Sequence, residues 1–161
     1  MKHEDVAAVL AKPISEELLG SSIPARLAYV GLDGDPRVIP IAFHWDGARI
    51  VVCTLPKSAK VRALESNPRV SLTIDTEGCH PPRVLLIRGA ASTELVDGVP
   101  EEYVAASRKL VPPEQFEEWS AGVHALYDQM VRVTITPDWA KLLDFETTIP
   151  QSVEDIIRAR Q

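Results

Sequence analysis

The tetrapeptide Lys57-Ser58-Ala59-Lys60 follows Thr54 across the short link Leu55-Pro56. One turn therefore holds two ammonium groups and, with Thr54, two hydroxyls. Val61 and Leu64 recur at helical spacing beyond it, so the amides of Ser58 to Val61 open a helix with Ser58 near its N-cap. An anion at that point meets oriented N–H donors, the positive end of a helix dipole and two cations. A phosphate fits this chemistry. Taken by itself, the turn is equally a capped helix whose lysines stand in water.

Two apolar segments must deliver the chain to that turn. Val38 to Trp45 is almost continuously apolar and reads as a strand. Asp46-Gly47 signals a two-residue hairpin, and Arg49 to Thr54 reads as the returning strand. Ala25 to Gly31 predicts an earlier strand, completing a three-strand meander. Beyond the turn, a helix over 59–66 is stopped by Asn67-Pro68, and Arg69 to Asp75 alternates as a strand buried on one face. Arg83 to Val96 predicts a long strand, with Gly89 at a bulge or bend where the sheet curls. Five or six antiparallel strands that curl into a barrel leave few exposed edges.

The flanks read as helices. Residues 4–11 and 15–19 form two short helices parted by Pro13. Ser15 is the expected N-cap of the second, whose Leu18 and Leu19 lid one end of the barrel. Glu101 to Leu110 and Pro113 to about Tyr127 follow, the latter with Phe116, Trp119, Val123, Leu126 and Tyr127 on one face. Val131, Val133 and Ile135 mark a strand, Thr136-Pro137-Asp138 a turn, and Trp139 to Phe145 a further strand. Ser152 and Asp155 suggest a capping box for a last helix. The expected organisation is one domain over 1–161, with its barrel core at about 23–96 and 130–145 and a helical insertion at about 101–128.

The chain has 161 residues and a net charge of -6, with 45% hydrophobic and 25% charged residues. That charge opposes a sequence-independent nucleic-acid binder, which displays clustered cations. No apolar run is long enough to span a membrane, and acids occupy the N-terminus where a secretory signal needs a basic start. Cys53 and Cys79 read as reduced thiols, so a cytoplasmic protein is expected. Cys79-His80 lacks the second ligand pair of a zinc site, so no metal is expected. His44 and His124 read as structural, and neither a GxGxxG nor a Gly-x-Ser-x-Gly elbow is present.

The segment Ile23 to Val96 resembles the flavin-binding split-barrel family of pyridoxamine 5'-phosphate oxidase and its small bacterial relatives, with a weaker echo near Met130 to Phe145. The most specific part is Cys53-Thr54, three residues, then Ser58-Ala59-Lys60, followed by Arg62-Ala63-Leu64 and Asn67-Pro68-Arg69-Val70. The resemblance implies an antiparallel split β-barrel with peripheral helices, of mainly β (α+β) class. It also implies a homodimer, with a flavin site between the subunits. Thr54, Ser58 and Lys60 would hold the phosphate of FMN, with Lys57 substituting for a basic residue that Ala59 replaces. Val38, Ile39, Pro40, Ile41 and Cys53 would line the ring. Arg88, like Arg37, is placed for the pyrimidine edge or phosphate, and Trp139 for stacking near the ring or across the dimer seam.

Departures from the oxidase are also visible. No glutamine stands near Val84, and Trp139 to Gln161 contains no Arg-Leu segment of the kind that holds pyridoxal phosphate. The resemblance therefore implies FMN-dependent hydride or electron transfer to a small molecule other than vitamin B6, with no obligatory catalytic side chain. A deazaflavin-dependent reductase, for which Lys57, Lys60 and Arg62 are compatible, is the alternative. A flavin- or haem-binding protein without turnover is the third reading.

Overall fold

A computed structural model describes residues 3–76 and 78–160 of the chain. Its centre is an antiparallel sheet of seven strands: β1 Ala25–Val30, β2 Pro36–Ile41, β3 His44–Trp45, β4 Ile50–Thr54, β5 Arg69–Asp75, β6 Val84–Asp97 and β7 Gln129–Leu143. The helices are α1 His3–Leu10, α2 Pro13–Gly20, α3 Ala59–Ser66, α4 Glu101–Arg108, α5 Phe116–Leu126 and α6 Gln151–Arg158. A 3-10 turn at Pro113–Gln115 precedes α5.

Strand order explains the curl. The sheet runs β2-β1-β5-β6-β7-β4-β3, so its two edges are β2 and β3, neighbours in the chain separated only by Ala42 and Phe43. A connection that short brings the edges together without a ladder between them, the arrangement of a split barrel. Phe43 is 1% exposed at this crossing and anchors it in the core. The expected single strand over 38–45 is thus two strands on opposite edges. The expected meander is also corrected, since β2 pairs with β1 whereas β4 pairs with β7 and β3.

The barrel interior is apolar because each long strand alternates. In β5, Val70, Leu72 and Ile74 are buried while Arg69 and Ser71 are exposed. Leu27, Ile50, Val52, Ile87, Val133 and Ile135 face them in one cluster. Leu18 and Leu19 of α2 join that cluster and close one end, as the sequence predicts. Ser15 does not cap α2. Pro13 opens this helix with Lys12 at the N-cap, and Ser15 is buried inside it.

Near Gly89 the β6–β7 register shifts: Arg88 pairs with Trp139 but Gly89 with Pro137, leaving Asp138 as the extra residue. The expected turn over 136–138 is therefore a bulge inside one continuous strand. Pro137 is tolerated there, at the irregularity in the ladder. Arg69 of β5 reaches over to pair with Asp138. Leu126 of α5 is 69% exposed, so the apolar face of that helix is narrower than its spacing suggests. At α6, Pro150 is the N-cap and the expected Ser152–Asp155 capping box does not form; Gln151 donates to Asp155 instead.

The end of β7 is fastened by one carboxylate. Asp144, 4% exposed, accepts from the amides of Glu146, Thr147 and Thr148 at 3.1, 2.8 and 2.7 Å. Together with the Thr147 hydroxyl, these donors hold its carboxyl well below the usual carboxylate range despite burial. They also hold Phe145 in the left-handed region at φ 59°. A depressed folded-state pKa contributes stability at neutral pH that is lost as pH falls below the unfolded value of about 3.9. Asp144→Ala should lower the Tm by several degrees at neutral pH, and the gap between variant and parent should narrow toward about pH 3 in calorimetry.

Candidate functional site

The crossing of the barrel edges creates a groove. Ile39, Pro40 and Ile41 of β2, then Ala42, form one wall, and Cys53 and Thr54 of β4 with Lys60 of α3 form the other. Tyr103 and Ala106 of α4 cover it, and the cavity holds about 270 Å³. The two walls come from opposite ends of the sheet, the edge strand β2 and β4 next to the other edge, so the site exists only because the sheet curls round.

Lys60 organises the polar end. Its Nζ donates to Thr54 Oγ1 at 2.9 Å and to Ser58 Oγ at 2.8 Å. Ser58 occupies the N-cap of α3, but its side chain makes no capping bond because its hydroxyl serves Lys60. Burial pushes the Lys60 ammonium below its usual range, and among the described residues no carboxylate pairs with it. The result is a half-buried cation, two hydroxyls and the first amides of a helix with no anion of their own.

Helix α4 is held over the groove by charge. Arg132 of β7, opposite Cys53 in the ladder, donates to Glu94 at 2.8 Å and to Glu102 of α4 at 3.2 Å. Its Nε lies 3.0 Å from Glu102 but is not aligned to donate. Tyr103 stacks on Trp119 of α5 with centroids 5.8 Å apart and meets Tyr127 edge-on at 6.5 Å. Burial raises the Tyr103 phenol pKa, with smaller contributions from Tyr127 and Cys53, so it remains protonated.

Burial, and secondarily the carboxylate of Glu102, pushes the Cys53 thiol up to about 12. Cys53 is therefore a neutral, weakly polar wall rather than a nucleophile. Iodoacetamide at mildly alkaline pH should label the exposed Cys79 and spare Cys53 until denaturant is added, as read by mass spectrometry. Rapid labelling of Cys53 in the folded protein would show that the groove opens widely.

The other anticipated positions lie elsewhere on the chain. Lys57 is exposed on the turn. Val38 is 66% exposed on the outer side of β2, where it lines a neighbouring trough with Pro40. Arg88 and Trp139, paired across β6 and β7, stack on one another with 4.3 Å between guanidinium and ring centroid. Arg37 is engaged with Asp33. The groove residues that sequence reasoning missed are Tyr103 and Ala106. Their signal was the pairing of an aromatic with a small residue three positions on, one helical turn that leaves space above a strand.

The family model described as pyridoxamine 5'-phosphate oxidase matches residues 12–136. A curated relative, the 5a,11a-dehydrotetracycline/5a,11a-dehydrooxytetracycline reductase of Streptomyces rimosus subsp. rimosus, is 30% identical over 114 residues, covering 62% of this chain and 80% of the relative. Among solved structures, an F420 reductase is similar with TM-score 0.60 and 24% identity, over 78% of this chain and 94% of that one. The haem storage protein of Vibrio cholerae is similar with TM-score 0.57 and 22% identity, over 83% of this chain and 93% of that one. These structural likenesses concern the fold, which is a split barrel. With the family model spanning both walls of the groove and the turn between them, the chain belongs to the pyridoxamine 5'-phosphate oxidase family.

Proposed function

We propose that this chain is a reductase that passes hydride through a phosphate-bearing flavin coenzyme, FMN, to a small organic acceptor. The observation that carries this reading is Lys60, an ammonium braced by Thr54 and Ser58 with no carboxylate among the described residues to neutralise it. A phosphate supplies the missing anion. Ile39, Pro40, Ile41 and Cys53 then flank the ring, with the groove's apolar surface limiting water. The coenzyme, when bound, supplies the hydride chemistry. The chain's own part is to fix the phosphate end, hold the ring against β2 and keep the Cys53 and Tyr103 protons in place.

Membership of the family and a named reductase among the relatives both support this reading. A deazaflavin coenzyme is the second reading, favoured by the solved F420 reductase of the same fold. Both coenzymes carry a phosphate, so Lys60 serves either. We also propose a homodimer, with Arg88 and Trp139 on the outer sheet face reaching the partner's site; Lys57 would stand at the mouth of the phosphate site. An absorption spectrum of the purified protein, with mass spectrometry of the released cofactor, tests the proposal. FMN or a deazaflavin supports it and identifies the coenzyme. A Soret band, or failure to bind either coenzyme on titration, would overturn it.

A further inference from the structure

The coenzyme groove leaves the second reactant of a reductase without a place. Its volume of about 270 Å³ lies just below the usual range of ligand pockets, about 300–1,000 Å³, so a coenzyme ring fills it. A neighbouring cavity has the room. The trough beside β2 holds about 760 Å³ and is walled by Ile23 and Pro24 ahead of β1 and by Val38 and Pro40 of β2. Thr76 and Cys79, from the loop after β5, complete it.

The two cavities adjoin at Pro40. Val38 and Pro40 lie on the exposed face of β2, whereas Ile39 and Ile41 are part-buried on the other. Ile39 and Ile41 line the groove, Val38 lines the trough, and Pro40 lines both. Since β2 is an edge of the sheet, a ligand at Pro40 meets no further strand, and proline presents no N–H that it would have to satisfy.

The lining defines what the trough accepts. Its walls are mostly apolar, and among the described residues its one charged group is Arg26, already paired with Asp75 at 2.9 Å. No unpaired charge there awaits a ligand ion. The Thr76 hydroxyl accepts from the Arg83 amide at 3.1 Å, and its own proton has no acceptor among the described residues. A carbonyl oxygen suits that donor.

We propose that this trough is the acceptor site, and that it takes a bulky, neutral, mostly apolar carbonyl compound whose electron-poor double bond meets the coenzyme ring at Pro40. This inference rests on the reductase reading, because only a hydride donor in the groove makes a molecule in the trough an acceptor. The acceptor gains a hydride at one end of the double bond and a solvent proton at the other, and the coenzyme is oxidised by the same two electrons. Val38, 66% exposed in the trough wall, sets the preference for apolar acceptors.

The test titrates the full chain, with and without FMN, with 1-aminoanthracene, a neutral three-ring probe, and with its anionic counterpart anthracene-2-carboxylate. The neutral probe should bind more tightly than the anion. At about ten times its Kd it should slow iodoacetamide alkylation of the exposed Cys79 about tenfold, by mass action. With FMN bound, the electron-rich amine beside the oxidised ring should add a long-wavelength charge-transfer absorption. Val38→Glu should weaken the neutral probe about tenfold by setting a carboxylate against it, and Val38→Leu should keep its affinity. The side chain at 38 is largely exposed, so neither variant disturbs the core. Unprotected Cys79, affinity indifferent to Val38→Glu, tighter binding of the anion, or a ternary complex without the charge-transfer band would overturn the assignment. Failure to bind FMN, with probe binding and Cys79 protection intact, would reject the coenzyme reading and leave the trough as a site for neutral apolar ligands.

Discussion

Lys60→Met should weaken FMN, or a deazaflavin in its place, by about 10- to 150-fold, because a hydrogen bond to a charged group is worth about 1.5–3 kcal/mol. Lys57→Ala should cost no more than a few-fold. Both residues carry the same charge within one turn, and the difference lies in desolvation. Lys57 is exposed, so water and salt screen whatever it contributes. Lys60 has lost part of its hydration and has its ammonium aimed by Thr54 and Ser58. Without the coenzyme, this arrangement is a cost to the fold. The cofactor-free Lys60→Met protein should therefore melt no lower than the parent, even as its coenzyme affinity collapses. Equilibrium titration followed by absorbance, beside calorimetric melts of the cofactor-free proteins, measures both quantities. Equal losses from the two lysines would place the phosphate outside the groove.

The phosphate end was legible in sequence because it is local. Thr54, Ser58 and Lys60 lie within seven residues on a strand end, a turn and a helix start, each with a strong short-range signal. The helix over 59–66 and the strand over 69–75 were legible for the same reason, having a clear period and clear stops. What sequence could not supply is the pairing of distant edges. Val38 to Trp45 reads as one strand because it is almost continuously apolar, and nothing in that pattern marks Ala42-Phe43 as the crossing. Only the completed strand order separates β2 from β3. The lid is hidden similarly. Tyr103 lies far from Cys53 in the chain, and Arg132 and Glu102, which hold α4 in place, look like ordinary surface charges in sequence.

The capping errors share one cause. Ser15, Ser58 and Ser152 each stand near a helix start, and a hydroxyl there has more than one available partner. Pro13 and Pro150 set the start of their helices by fixing backbone φ, which makes a side-chain cap unnecessary. At Ser58 the neighbouring ammonium takes the hydroxyl instead. The site chemistry thus displaced the local rule at the position where function is proposed.

Gly89→Ala should destabilise the fold by about 3 kcal/mol, at the upper end of the cost of overpacking a dense interior. A Cβ at Gly89 would lie 2.3 Å from the Thr136 carbonyl oxygen and 3.2 Å from Ile135 Cγ2. The obstacle is backbone and cannot rotate away. Thr136 is held by its pairing with Ala90, and Asp138, two residues on, by Arg69, so relief requires β6 and β7 to separate at the bulge. Those two strands carry β5 on one side and β4 on the other, and a separation would spread to both walls of the groove. Gly122→Ala is the matched control. Gly122 lies inside α5 with nothing within 4 Å of an added Cβ, so alanine there should stabilise by up to about 1 kcal/mol through helix propensity. Urea unfolding should therefore move in opposite directions for the two variants, with the midpoint falling for Gly89→Ala and rising for Gly122→Ala. An unchanged midpoint for Gly89→Ala would mean that the strands accommodate a side chain at the bulge, and that this glycine is not what permits their close approach.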